Sequence, residues 1–300
     1  MTVEASDWNS RSIGSRFKHG FFYAVIKWLG LKPAYAFLFV VVFYYSLLPS
    51  VRRRSRPYLE RRFPGAGGLA MWRHAFRLNH TFGLVLLERA AMGITGRVAA
   101  APEADEEKVV SNLIAEGKGL IVLTAHLGAW QMSMVGLEYC GVPVNIIQRR
   151  DEGDVDRHYF EHGGGGRVPN LIDAADPVAG LGLAAAALLK GEIVCMMGDR
   201  VRTGDSLTVK AEFLGGGVRI PGAPFYLSGR FGCPIIVIFP RRDGPAAVAG
   251  KAYRLFRVPE NSGRNAEKLQ PYARQFTAAM EEFVAEYPYQ FFNFYDLWLK

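Results

Sequence analysis

A short apolar run that leads into a histidine constrains the fold of this chain more than any other feature. Residues 120–123 read Leu-Ile-Val-Leu after Gly119, and such a run is typical of a strand buried on both faces. Beyond Gly128 the apolar residues recur at helical intervals, which predicts a helix that begins near this glycine. His126 therefore lies just past the carboxyl end of a strand and before a helix, where open α/β sheets bind their ligands.

His126 and Gln131 are spaced so that one side chain can orient the other. Gln131 lies one turn into the predicted helix, where its side chain can accept a hydrogen bond from one ring nitrogen of His126. The lone pair is then on the other ring nitrogen. That second nitrogen can then take a proton from an attacking hydroxyl as a general base. The alternative interpretation is a loop histidine whose hydrogen bonds are merely satisfied.

The sequence Thr-Ala-His126-Leu-Gly-Ala-Trp130-Gln131 resembles the His-x4-Asp/Glu motif of the glycerolipid and lipid A acyltransferases. It is most similar to the bacterial lipid A late-acyltransferase family, where the motif often reads His-x-Gly-x-Trp-Glu. The resemblance implies an α/β fold with a mixed, largely parallel central sheet flanked by helices, and substrate-binding positions at Gly128 and Trp130. Gln131 departs from the motif, because an amide can fix the imidazole tautomer but cannot offset the positive charge that the base acquires.

Three arginines match basic positions of this family. Arg149 and Arg150 follow the predicted strand at 142–147, where the family has a basic cluster that meets the phosphate of donor or acceptor. Arg200 follows the predicted strand at 193–197 and belongs to a second family motif that faces the same cleft. Because guanidinium groups bind phosphate well at close range, the resemblance implies that these arginines engage phosphate or the acyl carrier.

Asp199, Phe213 and Gly215 complete the set of candidate site residues. Asp199 ends the strand before Arg200, and we expect it to replace the carboxylate that is missing at Gln131. Phe213 and Gly215 lie in a stretch that resembles the Phe-Gly segment of the family. Glycine permits close approach of the backbone, so the N–H groups of Gly128 or Gly215 are candidates to stabilise an oxyanion.

The net charge of the chain arises entirely in its first 62 residues. This segment holds 11 of the 36 Lys/Arg residues but only 3 of the 28 Asp/Glu residues, so the remainder holds 25 of each and the net charge of +8 belongs to the segment. The same segment contains 19 consecutive uncharged residues between Lys32 and Arg52. A basic flank on an apolar stretch fits an anionic membrane surface better than it fits nucleic acid.

The apolar stretch is short for a membrane span. Its core at 34–48 lies between Pro33 and Pro49, and 15 helical residues reach about 22 Å, against about 30 Å for the hydrocarbon layer. We therefore expect a segment that enters one leaflet, with a short transmembrane helix or a buried pair of core helices as alternatives. The arginines that follow would lie at cytoplasmic headgroups; they are Arg52, Arg53, Arg54 and Arg56.

Three parts of the chain are predicted from these patterns. Residues 1–20 are expected to be poorly ordered, residues 21–62 to form a membrane-associated helical segment, and residues 63–300 to form an acyltransferase-like α/β domain. Residues 57–68 contain two prolines and several glycines and are expected to form a loop. The three cysteines are few, odd in number and set in apolar surroundings, which indicates a reducing compartment without a disulfide framework.

A competing motif is His158-Tyr-Phe-Glu161-His162, which matches the His-x-x-Glu-His of inverted zinc peptidases. On a helix it would place two imidazoles on one face beside a glutamate base. The motif runs directly into the four glycines at 163–166, which support a helix poorly, and the sequence offers no strong third ligand.

The resemblance implies a membrane-associated enzyme at the cytoplasmic face of the bacterial inner membrane. It would move a fatty acyl group from acyl-carrier protein or acyl-CoA to a hydroxyl or amine of a lipid or glycolipid acceptor, with His126 as general base. The protein is expected to need no cofactor or metal and to bind no nucleic acid. Two alternatives stay open: a catalytically weak or inactive lipid-binding member of the same fold, and a zinc hydrolase built on His158, Glu161 and His162.

Overall fold

The structure is a computed structural model that describes residues 16–95, 99–101, 104–133, 137, 140–148, 169–201 and 204–299. In chain order the described helices are α1 (Arg16–Leu29), α2 (Leu31–Ser46), α3 (Pro49–Arg62), α4 (Gly68–Thr95), α5 (Ala104–Ala115), α6 (Trp130–Ser133), α7 (Pro177–Leu189), α8 (Ala223–Phe231) and α9 (Ala266–Glu286). The described strands are β1 (Ala99–Ala101), β2 (Leu120–Thr124), β3 (Val144–Gln148), β4 (Asn170–Asp173), β5 (Ile193–Met197), β6 (Thr208–Phe213), β7 (Gly216–Pro221), β8 (Ile235–Arg242) and β9 (Ala247–Phe256).

Seven of the described strands form one mixed sheet, in the order β1-β9-β8-β2-β5-β3-β4. β8 and β9 are antiparallel, and every other neighbouring pair in this order is parallel. The structure confirms the expectation of a mixed, largely parallel sheet flanked by helices. It also confirms a helical region in the amino-terminal part of the chain. β6 and β7 form a separate antiparallel hairpin.

β2 is the central strand, and its position fixes where the candidate site lies. It pairs with β8 on one side and with β5 on the other, and all five of its residues are buried. Because alternate residues of a strand point to opposite faces, Ile121 and Leu123 join one apolar cluster while Leu120 and Val122 join another. A strand held on both edges and both faces leaves the residues that follow it little positional freedom.

The amino-terminal helices pack on α4 through their inner faces. Val25 on α1, Leu38 on α2 and Leu87 on α4 belong to one buried cluster. Gly83 lets α2 and α4 approach closely, because a Cβ at this position would lie 2.8 Å from Cδ1 of Leu38. The outer faces of α1 and α2 are exposed and yet apolar; their large side chains there are Phe21, Trp28, Leu29, Phe37, Phe39, Val40, Val41, Phe43 and Tyr44.

None of the helices in the described ranges is by itself long and apolar enough to cross a bilayer. α2 and α3 meet that requirement only as a pair, which is bent by 89° at the break between them. α1 begins at Arg16, within the segment that the sequence predicts to be poorly ordered. The boundaries at residues 20 and 62 stay predictions.

Two local predictions are wrong. α3 continues through Pro57 to Arg62, where the sequence predicts a loop, because Tyr58 and Leu59 are fully buried and their packing compensates for the missing proline N–H. The sequence also predicts a helix over residues 173–189, but 170–173 form β4 and the helix, α7, starts only at Pro177. The side chain of Asp176 caps α7 by accepting from the N–H groups of Val178 at 2.9 Å and Ala179 at 3.1 Å.

Candidate active site

His126 and Asp199 meet because they follow two neighbouring parallel strands by the same number of residues. In the register of β2 and β5, Thr124 is paired with Met197, so His126 and Asp199 each lie two residues beyond this pair. Neighbouring strands lie about 5 Å apart, which brings the two side chains within reach of each other. Nδ1 of the imidazole lies 2.9 Å from Oδ1 and 3.0 Å from Oδ2 of the carboxylate.

This contact defines which ring nitrogen carries the lone pair. An ionised carboxylate only accepts hydrogen bonds, so Nδ1 of His126 carries a proton and donates a hydrogen bond to Asp199. Nε2 then carries the lone pair. The side chain of His126 is 19% exposed whereas that of Asp199 is 2% exposed, so the pair presents the imidazole toward solvent and keeps the carboxylate behind it.

Asp199 is ionised in spite of its burial. Burial of the Asp199 carboxyl acts to raise its pKa, but the His126 imidazole and the Arg200 guanidinium outweigh this effect and hold the pKa below its usual value. Nε of Arg200 lies 3.8 Å from Oδ2 of Asp199. The negative charge is therefore available to stabilise a protonated imidazole.

Arg200 also connects the site to the carboxyl-terminal tail, residues 287–299, which follows α9. Its Nη2 donates to the carbonyl oxygen of Phe292 at 2.9 Å, and its guanidinium lies 5.7 Å from the centroid of the Tyr295 ring. The side chain is 11% exposed. The structure thus brings Arg200 to the carboxylate of Asp199, and its contact with phosphate or a carrier stays a prediction.

Gln131 has a different partner from the one that the motif spacing indicates. Its Oε1 accepts a hydrogen bond from Nη1 of Arg89 on α4, a side chain that is almost completely buried. The hydrogen bond to the imidazole of His126 is made by Asp199 instead. Arg89 is a residue that the sequence reasoning missed, because nothing in the spacing along α4 relates it to a motif 42 residues later.

Gly128 is required for the backbone path of the loop after β2. Its φ of +54° lies in the left-handed region, and a Cβ would come within 1.8 Å of the carbonyl oxygen of Pro240. Its N–H donates to the carbonyl oxygen of Gln290 at 2.7 Å. The expectation that this N–H stabilises an oxyanion is therefore corrected: the group is already used within the protein.

Three other candidates occupy distinct environments. Trp130 lies edge-on to the imidazole, with 5.5 Å between the centroids of the two rings. Phe213 is fully buried and stacks on Trp298, so the expectation that it contacts substrate is corrected to a role in the core. The β6–β7 turn that contains Gly215 is held by α3 and α9, through contacts of Leu214 with Arg61 and Glu281.

Five of the candidate residues lie outside the part of the chain that the structure describes. They are the two arginines after β3 and the three members of the zinc-type motif, namely Arg149, Arg150, His158, Glu161 and His162.

The class of protein follows from the fold and the site together with one family comparison. A largely parallel sheet carries a histidine, oriented by a buried carboxylate, at the ends of adjacent strands, which is an arrangement suited to general-base chemistry. Residues 79–300 match the family described as bacterial lipid A biosynthesis acyltransferase. Because this match spans about three quarters of the chain, the protein belongs to that family.

The family implies an acyltransferase of lipid A biosynthesis, and the match confirms the predicted resemblance to this family. The matched residues include the His126 motif, Asp199 and the carboxyl-terminal tail. No curated protein matches the chain. The zinc hydrolase and the inactive lipid-binding protein are not favoured by the match.

Proposed function

We propose that this protein is a membrane-associated acyltransferase with His126 as its general base. It moves a fatty acyl group from the thioester of acyl-carrier protein or of coenzyme A to a hydroxyl or amine of a lipid or glycolipid acceptor. The observation that carries the proposal is the hydrogen bond between the partly exposed imidazole of His126 and the buried, ionised Asp199, in a chain of an acyltransferase family.

In this reaction Nε2 of His126 carries the transferred proton, while Nδ1 keeps its hydrogen bond to Asp199. Nε2 of His126 takes the proton of the acceptor hydroxyl while the hydroxyl oxygen attacks the thioester carbonyl. The carboxylate of Asp199 stabilises the imidazolium that forms. When the tetrahedral intermediate collapses, the C–S bond breaks and the imidazolium returns its proton to the thiolate, so that an ester and a thiol leave the site.

The labelled product tests this proposal directly. Bacterial membranes incubated with the protein and an acyl-carrier protein that carries a labelled acyl chain should acquire label in one lipid or glycolipid species. Parallel reactions with labelled acyl-CoA identify the donor, and mass spectrometry of the labelled lipid identifies the acceptor. Release of free fatty acid without any labelled lipid would contradict acyl transfer and would indicate a hydrolase.

Membrane attachment is supported by the surface of the amino-terminal helices. Trp28 on α1 is 79% exposed, and Val40 and Tyr44 on α2 are 65% and 63% exposed. An apolar surface of this kind gains free energy when it enters the headgroup and acyl-chain boundary. The arginines at 52–54 on α3 are exposed beside it, where they would lie against anionic headgroups. We infer that α1 and α2 enter the cytoplasmic leaflet of the bacterial inner membrane.

Two charges placed on this surface should release the protein from vesicles. The double variant Val40→Glu/Tyr44→Glu is expected to lower the fraction that floats with phosphatidylglycerol-containing vesicles by about tenfold, because each carboxylate would have to enter the interface. Leu183→Glu on α7 is the matched control, since Leu183 is also an exposed apolar helical residue, at 56%. Equal flotation of the double variant and the control would contradict the assignment of this surface.

A further inference from the structure

The carboxyl-terminal tail lies along the loop that carries His126. The N–H of Gly128 donates to the carbonyl oxygen of Gln290 at 2.7 Å, and the N–H of Phe292 donates to the carbonyl oxygen of His126 at 2.9 Å. Leu127 and Phe291 form an antiparallel bridge between these two bonds. The tail thus pairs with the loop through one antiparallel bridge, and the N–H of Phe292 holds the backbone carbonyl of His126 itself.

The side chain of Gln290 attaches this pair of segments to the end of the sheet. Its Oε1 accepts from the backbone N–H of Arg242 at 2.8 Å, and its Nε2 donates to the backbone carbonyl of Arg242 at 3.2 Å. Arg242 is the last residue of β8, the strand beside β2. One primary amide therefore satisfies both backbone groups of a single residue, as a neighbouring strand would.

Arg242 is itself held firmly, so Gln290 has a fixed attachment point. The guanidinium of Arg242 donates to both carboxylate oxygens of Glu88, from Nε at 2.8 Å and from Nη2 at 2.6 Å. Glu88 is completely buried on α4 and also accepts from the hydroxyl of Tyr35 on α2 at 2.7 Å. Paired and hydrogen-bonded buried charges of this kind resist displacement.

The same tail fixes the acidic partner of His126. The carbonyl oxygen of Phe292 accepts from Arg200, whose guanidinium lies beside the carboxylate of Asp199. Both members of the His126–Asp199 pair are therefore located through backbone groups of residues 290–292. The side chain of Gln290 attaches these three residues to the end of β8, while Phe291 and Phe292 are buried in the core.

We propose that Gln290 is a positioning residue for acyl transfer, which acts by holding the His126 loop and the tail in register at the end of β8. This inference rests on the proposed function for its kinetic consequence. Because a shift of about 1 Å in a reacting group is enough to cost about 100-fold in rate, loss of this attachment lowers kcat with little change in KM.

Gln290→Glu changes one group in this arrangement and supplies a distinctive readout. The carboxylate at neutral pH has two acceptors and no donor, so one oxygen opposes the carbonyl of Arg242. A protonated carboxyl regains one donor and one acceptor and restores the pairing. The ratio of the kcat of Gln290→Glu to that of the wild type should therefore rise as the pH falls. The ratio for Gln290→Ala should stay constant.

The experiment measures kinetics and hydrogen exchange on the full chain with the same set of variants. Gln290→Ala is expected to lower kcat by about 10-fold to 100-fold at unchanged KM. It should also accelerate amide exchange in the peptide that spans residues 125–133. Gln270→Glu on α9 is the matched control, because its Nε2 also donates to a backbone carbonyl, that of Lys210 at 3.2 Å, at an exposed position.

Each outcome bears on one of the two proposals. Unchanged exchange at 125–133 in Gln290→Ala, with the thermal midpoint of the wild type, would overturn the role of Gln290. A wild-type chain that transfers no acyl group from either donor would overturn the proposed function. Hydrogen exchange would then still decide whether Gln290 holds the loop. Faster exchange across the whole chain would also overturn the inference, since it would show general destabilisation.

Discussion

Replacement of His126 by alanine should lower acyl transfer by at least about 10³-fold, because it removes both the base and the group that returns the proton to the leaving thiol. The backbone of the loop should survive, since the carbonyl oxygen of residue 126 still accepts from Phe292 and Gly128 still donates to Gln290. The measurement is the initial rate of label transfer from acyl-carrier protein to membrane lipid, at saturating donor.

A second substitution separates loss of chemistry from loss of fold. His126→Gln retains an N–H donor for Asp199 and cannot act as a base near neutral pH, so it should be as inactive as the alanine variant and closer to the wild type in stability. His80→Ala is the matched control on α4, where the His80 ring stacks on Phe76. Retention of more than a tenth of the wild-type rate in both His126 variants would remove His126 from the mechanism.

The location of the site was predictable because it depends on local patterns. The apolar runs before His126 and before Asp199 are both short and bounded by glycine, and each forms a fully or largely buried strand. Once two such strands are parallel and adjacent, residues that follow them by equal steps must meet. The sequence predicted both strands and proposed Asp199 as a substitute carboxylate, and only their adjacency required the structure.

The contacts of Gln131 and Gln290 were not predictable, because they depend on packing between distant segments. Spacing relates Gln131 to His126, but the side chain is directed to Arg89 on a helix that packs across the loop. The hydrogen bonds of the carboxyl-terminal tail to the His126 loop have no sequence signature. Phe213 gave a misleading signal, since an aromatic residue beside glycines occurs in cores as well as in binding sites.

The start of α7 illustrates a local signal that the sequence did contain. Asp176 followed by Pro177 is a typical N-cap with proline at the first helical position, and it marks where the helix begins. The prediction of a helix from residue 173 did not use this signal and missed β4. α3 is the opposite case, because only tertiary burial of Tyr58 and Leu59 keeps Pro57 within a helix.

Asp199→Asn should lower kcat/KM by about 10²-fold to 10⁴-fold, whereas Gln131→Ala should lower it by less than about tenfold. The asparagine amide can donate to Nδ1 of His126, which would move the ring proton to Nε2 and remove the lone pair from the reacting side. It also lacks the charge that stabilises the imidazolium. Gln131 contacts Arg89, so its removal leaves the imidazole oriented.

The pH dependence of Asp199→Asn distinguishes an electrostatic role from a structural one. The lowered pKa of Asp199 keeps this carboxylate ionised across a pH series from about 5 to 9. The fall of the wild-type rate on the acidic side of its pH profile, the acidic limb, therefore does not report the titration of Asp199. Loss of the negative charge favours the neutral imidazole, and the acidic limb of the remaining activity should therefore move to lower pH. A merely structural carboxylate would lower the rate without moving the limb.

Gln131→Glu completes the comparison, because it restores the carboxylate of the family motif against the positive charge of Arg89. The new charge pairs with the guanidinium and is partly neutralised there, so the rate should stay within about threefold of the wild type and the acidic limb should not move. If Gln131→Ala cost more activity than Asp199→Asn, or if Gln131→Glu rescued Asp199→Asn fully, the orienting role would belong to position 131 and not to Asp199.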